Sequence, residues 1–192
     1  ASGPARRCDG DVDIFGNDIF DTSDDGPECD NGTVNVRVWK NRMHFGGLHN
    51  SIAFQDQQGA PWYLIRNQII IDTSEGPLKL KVTDRFLLFH NTFVNVQPNE
   101  FQNLAGEMLN AYSRNNLFIA TGTGGSQIWD HGVDLVTYRT NLDYDGFDWG
   151  AFANPFRYNS VNHATIASYN TATGQESNGI QVVAADTFTV GA

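Results

Sequence analysis

The chain has 192 residues, enough for one domain with a continuous core, and a formal net charge of −10, which argues against the non-specific nucleic-acid binding that clustered lysine and arginine support. No run of about 20 apolar residues occurs, so no transmembrane helix is predicted, and the stretch from Ala1 to Gly10 lacks the apolar centre of a signal peptide. Nineteen glycines imply many short turns.

In chain order, the first strand pattern starts near Val12, inside an acidic segment. Asp9, Asp11, Asp13, Asp18, Asp21, Asp24, Asp25, Glu28 and Asp30 follow one another with no lysine or arginine between them. Hard cations relieve such crowding by taking several carboxylate oxygens, so Asp24, Asp25, Glu28 and Asp30 are candidate calcium ligands. Their spacing does not match an EF-hand loop, and a solvated acidic face accounts for the same residues. Cys8 and Cys29 stand 21 residues apart, close to one repeat, which allows a bridge between adjacent turns; their offsets from the nearest repeat markers, nine and twelve residues, differ. Asn31-Gly32-Thr33 is a glycosylation sequon by pattern.

The repeat markers are asparagines. Asn17, Asn41, Asn67, Asn91 and Asn115 each follow an apolar, β-favouring run, at intervals of 24, 26, 24 and 24 residues. A period of that size with short strands and no helical pattern predicts a coiled β-solenoid, here of about five turns. Residues two apart in a strand share a face. The inward columns are therefore Val12, Val36, Trp62 and Phe86, then Ile14, Val38, Leu64, Leu88 and Tyr112, then Ile19, Met43, Ile69, Phe93 and Leu117 beyond the asparagine. Phe15, Trp39, Ile65 and Phe89 should point outward. Asparagine suits a tight bend, and amides stacked about 4.8 Å apart can bond one another along the axis.

Farther along, Phe101, Leu104, Met108 and Leu109 lie at near-helical spacing within Pro98 to Ala111, which suggests a short helix or an irregular excursion. Beyond Thr121 the period fails: a glycine-rich loop, Gly122 to Ser126, leads into a tail with aromatics at irregular intervals. The organisation expected is thus residues 1–120 as parallel β-helix turns and 121–192 as an irregular aromatic-rich cap, with sugar stacking as an alternative use for the aromatics. Nothing long enough to cover the first turn precedes it, so further turns, upstream on the same precursor or on another chain, are expected to meet that end.

The succession DDGPECDNG, NVRVWKNR, WYLIRNQ, FLLFHNTFV and SRNNLF, over roughly residues 9 to 120, resembles the right-handed parallel β-helix superfamily that contains pectate lyases, polygalacturonases and many unassigned secreted proteins. The stretch from Ile166 to Ser177 looks like a closing segment of those unassigned members. The resemblance implies an all-β, right-handed parallel β-helix, secreted or held at a cell surface, that acts on an acidic polysaccharide as a lyase or glycoside hydrolase. Polygalacturonases place a paired aspartate, a glycine-rich histidine segment and a basic segment in that order. Asp24-Asp25-Gly26, Gly46-Gly47-Leu48-His49 and Gly76-Pro77-Leu78-Lys79-Leu80-Lys81 follow it, although the histidine comes after leucine and the basic segment has no arginine.

Two constellations could carry chemistry. One place before the asparagines stand Gly16, Lys40, Arg66, His90 and Arg114, a column of cations that would repel one another unless countercharges or a polyanion intervened. A uronic-acid polymer along the axis would satisfy Lys40, Arg66, His90 and Arg114 and stack on Trp39; pairing with neighbouring acids would satisfy the same cations without a ligand. The second lies eleven residues before the asparagines, where Asp30 and Asp56 share a phase, with Glu28 just before and Lys79 and Lys81 in the next turn. Close carboxylates push their pKa values apart, and the candidate scheme has Asp24, Asp25 or Glu28 as acid and base, His49 as proton carrier, and Lys79 and Arg66 holding the substrate's charge. Solvated turn residues explain each of these singly. The competing class is a non-catalytic structural or adhesive solenoid. No cofactor other than calcium is suggested.

Overall fold

The computed structural model describes residues 10–22, 26–27, 35–45, 52–55, 61–71, 78–81, 83–95, 108–121, 127–131 and 139–183. They form an all-β solenoid of stacked parallel sheets with one short helix. The first sheet takes one strand from each turn: Val12–Phe15, Val36–Trp39, Trp62–Ile65, Phe86–Phe89, Tyr112–Arg114 and Asn141–Leu142. After a sharp bend the second sheet takes the next: Asp18–Phe20, Arg42–Phe45, Gln68–Ile71, Thr92–Asn95, Leu117–Ala120, Gly146–Asp148 and Ile180–Gln181. The third side is described where Ile52–Gln55 pairs with Leu78–Lys81 and Thr83–Asp84 with Met108–Leu109. About three turns are therefore closed on all sides among the described residues, against the five expected. Met108–Leu109 is strand; the stretch before it, residues 98–107, expected with it as a short helix or an irregular excursion, lies outside the described residues.

The strand alternation follows from the pleat. Val36, Val38, Trp62, Leu64, Phe86 and Leu88 are buried inside the coil, and Met43, Ile69, Phe93, Phe118 and Phe147 come in from the second sheet. Stacking in register brings like residues together: the rings of Phe93, Phe118 and Phe147 lie face to face at 5.0 and 5.3 Å.

The bend is held by the asparagines. The backbone N–H and the side-chain Nδ2 of Asn41 both donate to Asn67 Oδ1, at 3.0 and 3.1 Å. Its second Nδ2 hydrogen goes to Ile14 O at 2.8 Å, and its own Oδ1 accepts from Asn17 N and Nδ2. Every donor and both lone pairs are used. Asn67 and Asn91 repeat the pattern. Because Asn41, Asn67 and Asn91 are buried, each unmade bond would leave a polar group out of water, which makes this column a strong determinant of register.

The fifth rung corrects the alignment. The buried amide there is Asn116, not Asn115: Asn91 N and Nδ2 both donate to Asn116 Oδ1 at 2.9 Å. Phe89 stands opposite Arg114 and Leu88 opposite Ser113, so this interval is 25 residues. The one-residue slip moves Tyr112 and Leu117 out of the inward columns and puts Ser113 and Phe118 there. Arg114 thereby joins the column of Phe15, Trp39, Ile65 and Phe89, and Asn115 takes the bend position of Lys40, Arg66 and His90.

Both sheets run on past residue 120. The ladder position passes to Asp145, whose Oδ1 accepts from Asn116 N and Nδ2 at 2.7 and 3.0 Å, and then to Glu176, whose Oε2 accepts from Asp145 N at 3.4 Å. The intervals there are 29 and 31 residues, and the marker is acidic, which is why a search for asparagine loses the repeat. Trp129, Phe152, Phe156 and Tyr169 are buried rather than presented to solvent, with Phe156 stacked on Tyr169 at 5.0 Å. The helix Ile166–Thr173 packs over this cluster. It is started by a capping box of Thr165 and Ser168 and stopped by Gly174, which is left-handed at φ 70°.

Candidate functional site

The outer face of the first sheet carries a groove. A bend residue with positive φ precedes each ladder residue: Gly16 at 67°, Lys40 at 53°, Arg66 at 56° and His90 at 57°. Glycine takes this conformation freely, whereas a residue with a Cβ is disfavoured by about 1 kcal/mol. Three successive turns nonetheless place a long basic or imidazole side chain there. The left-handed backbone turns those side chains outward beside the aromatic column.

An open cavity of about 850 Å³ is lined by Asp13, Arg37, Trp39, Lys40, Ile65, Arg66, Phe89 and His90. At one end Phe15 and Trp39 stack at 4.6 Å with an 11° interplanar angle, and Lys40 Nζ stands 5.3 Å from the centre of the indole. Arg37 and Trp39 are fixed from the turn before: Arg37 Nε and Nη2 donate to the two oxygens of Asp13 at 2.7 Å each, and Trp39 Nε1 donates to Asp13 Oδ1 at 3.1 Å. The Arg37 guanidinium, helped by the indole N–H, holds the Asp13 carboxyl below the usual carboxylate range. That carboxylate is thus occupied by the sheet itself. Among the described residues no carboxylate pairs with Lys40, Arg66 or His90. On a chain of net charge −10 the groove is a local concentration of positive charge.

The expected ligand-binding residues Trp39, Lys40, Arg66 and His90 therefore meet in one groove. Arg114 is not in the column of Lys40, Arg66 and His90, for the register reason given above; its guanidinium bonds Asn141 O and Oδ1 at 3.0 and 2.6 Å and lies 6.0 Å from the Tyr144 ring centre. The backbone of Lys79 is on the third side, opposite Ala53, and not on the sheet that bears the groove. Asp24, Asp25, Glu28, Asp30 and His49 lie outside the described residues, as do Cys8, Cys29 and the sequon. Among the described residues no group of three or more His, Cys, Asp or Glu is placed to hold a metal ion. No described helix is long and apolar enough to cross a membrane.

Residue-type reasoning missed the Asp13–Arg37–Trp39 unit. Its signal was present, because Asp13 and Arg37 are one period apart and so become neighbours across the ladder. It also missed the buried acids Asp145 and Glu176, which stand where the repeat would call for asparagine.

No family model matches the chain, no curated protein matches it, and no solved structure matches it.

Proposed function

We propose that this solenoid binds an extended acidic polysaccharide along the outer face of its first sheet, the charged groups of the polymer meeting Lys40, Arg66 and His90 on successive turns and a sugar face resting on Trp39. One observation carries the reading: three consecutive bends hold cationic or imidazole side chains, at a backbone conformation that favours glycine, with no carboxylate on them among the described residues. Local strain kept without a carboxylate partner among the described residues is a reason to look for an external one. The spacing of the bends, about 4.8 Å, suits a ligand with repeating negative charge better than a compact anion. Likeness to the pectate lyase and polygalacturonase superfamily supports the same polymer class, and an extracellular or cell-surface location goes with it.

The proposal is one of binding. Cleavage would depend on Asp24, Asp25, Glu28 and His49, and calcium binding on Asp24, Asp25, Glu28 and Asp30, all of which lie outside the described residues. Titration calorimetry against a polyuronate and against a neutral glucan of equal length, at low and high salt, tests the reading. Binding to the polyuronate alone, weakened by salt and lost in a Lys40→Ala/Arg66→Ala double variant, is expected. Equal binding to the neutral glucan, or no effect of the double variant, would overturn it. The same samples, assayed for new reducing ends and for unsaturated products, report cleavage separately.

A further inference from the structure

The amide ladder ends on two acids buried together. Asp145 and Glu176 are 0 and 1 % exposed, and Asp145 N donates to Glu176 Oε2 across the 31-residue excursion that carries the helix. Asp145 is well supplied with donors: Asn116 N and Nδ2 on Oδ1, and the Ser113 hydroxyl on Oδ2. Glu176 is not. Its Oε1 is buried with no hydrogen-bond partner, its backbone is left-handed at φ 55°, and Gly179 packs so closely that a Cβ there would stand 2.8 Å from Oε2. Burial raises the Asp145 carboxyl above its ordinary value, but the Ser113 and Asn116 donors oppose that and favour its anion, whereas Glu176, with no such donors, can remain buried only by carrying a proton.

Among the described residues no cation is found acting on the pair. From the elements packed around it the titratable groups are Asp143, on the turn that also carries Asp145, Tyr169 on the helix, and Tyr158 and His163 around that phenol. Asp143 is held below the usual carboxylate range despite partial burial, by Asn178, Tyr144 N and Ser177, and so adds negative charge. Burial raises the Tyr169 phenol well above its ordinary value, which keeps it neutral at moderately alkaline pH. Arg114, on the strand of Ser113, is turned to Asn141.

We propose that Glu176 is a proton-operated fastener for the C-terminal segment: protonated, it closes the ladder and holds the helix Ile166–Thr173 and the strand Ile180–Gln181 on the coil; ionised, it releases them and uncovers the edge strand Gly146–Asp148. Burial, with the Asp145 carboxylate adding to it, raises Glu176 from an ordinary 4.5 to about 9. The sign follows from linkage. The folded segment binds a proton that the opened segment has lost above 4.5, so the closure is strongest below that value, weakens steadily with rising pH, and is gone once pH passes about 9.

Hydrogen exchange of the whole chain, read by peptide and corrected for the intrinsic pH dependence of exchange, provides the test. Between pH 6 and pH 9.5 protection across residues 166–182 should fall at least tenfold while residues 36–45 keep theirs. Glu176→Gln, which retains an acceptor for Asp145 N and cannot ionise, should remove the difference; Asp145→Asn, which continues the amide ladder and takes away the charge that helps raise Glu176, should make the loss smaller. Should either variant fail to fold, the other decides. The proposal is overturned by loss of protection that is uniform along the coil, by no loss at all, or by a loss that is undiminished in the folded variant.

Discussion

Two columns run side by side along the bend, one residue apart, and they obey opposite rules. In the inner column Asn41, Asn67 and Asn91 are buried and neutral, and each satisfies every hydrogen-bonding atom within the chain. In the outer column Lys40, Arg66 and His90 are exposed, strained and without a carboxylate among the described residues. The inner column explains itself by stability alone. The outer one works slightly against stability, and that contrast separates what the fold requires from what a ligand would require.

The contrast can be broken most forcefully from the inside. Asn91→Ala would strip partners from Asn67 N, Asn67 Nδ2 and Leu64 O together; at about 1–3 kcal/mol for each buried group left unpaired, a loss of roughly 3–9 kcal/mol is expected, read by denaturant unfolding. Next in size is Trp39→Ala. Removing the stacking platform should weaken polyuronate binding by about tenfold, roughly 1.4 kcal/mol, with little change in the unfolding midpoint. Arg66→Gly is the sharpest test because its two effects have opposite signs. Relief of the left-handed strain should stabilise the fold by about 0.5–1 kcal/mol, while polymer affinity drops several-fold; if affinity is unchanged, the outer column has no ligand role. The smallest effect is expected at Asp13→Asn. Its partners are solvent-exposed, so the melting temperature should stay put, but a less firmly held Arg37 and Trp39 should reduce affinity modestly.

The inner column was legible in the sequence almost completely, since burial forces a residue type and the coil forces a period. Legibility failed at Ser113-Arg114-Asn115-Asn116, where two adjacent asparagines fit the bend and the more regular interval favoured the wrong one. The large apolar Phe118, in line with Phe93, was the better guide, because the face of a strand is set by what must be buried. Legibility failed again at Asp145 and Glu176, where a carboxylate replaces the amide at longer intervals and residue identity no longer marks the rung. The groove was half legible. Lys40, Arg66 and His90 share a column phase and Trp39 stands in the column beside it, so their meeting could be anticipated, whereas the Asp13 clamp required knowing which residues face each other across turns. The acidic candidates Asp24, Asp25, Glu28 and Asp30, with His49, fall outside the apolar columns of the repeat, so the sequence period says nothing of where they meet, and they lie outside the described residues.

The ladder also has a direction. At every rung a backbone N–H and an amide donate toward the later turn, and an oxygen receives from the earlier one, so the column is a one-way chain of donors. Such a chain calls for a terminus that only accepts, and a carboxylate is the side chain that does so, as Asp145 does for Asn116. Between its ends any rung is interchangeable with any other. A whole turn can then be duplicated or removed without reversing a single bond, so the length of the solenoid, and with it the length of the groove, is free to vary while both ends stay as they are. A chain that duplicates residues 67–90 should unfold cooperatively at no lower temperature than the parent, and loss of cooperativity would show that the rungs are not equivalent.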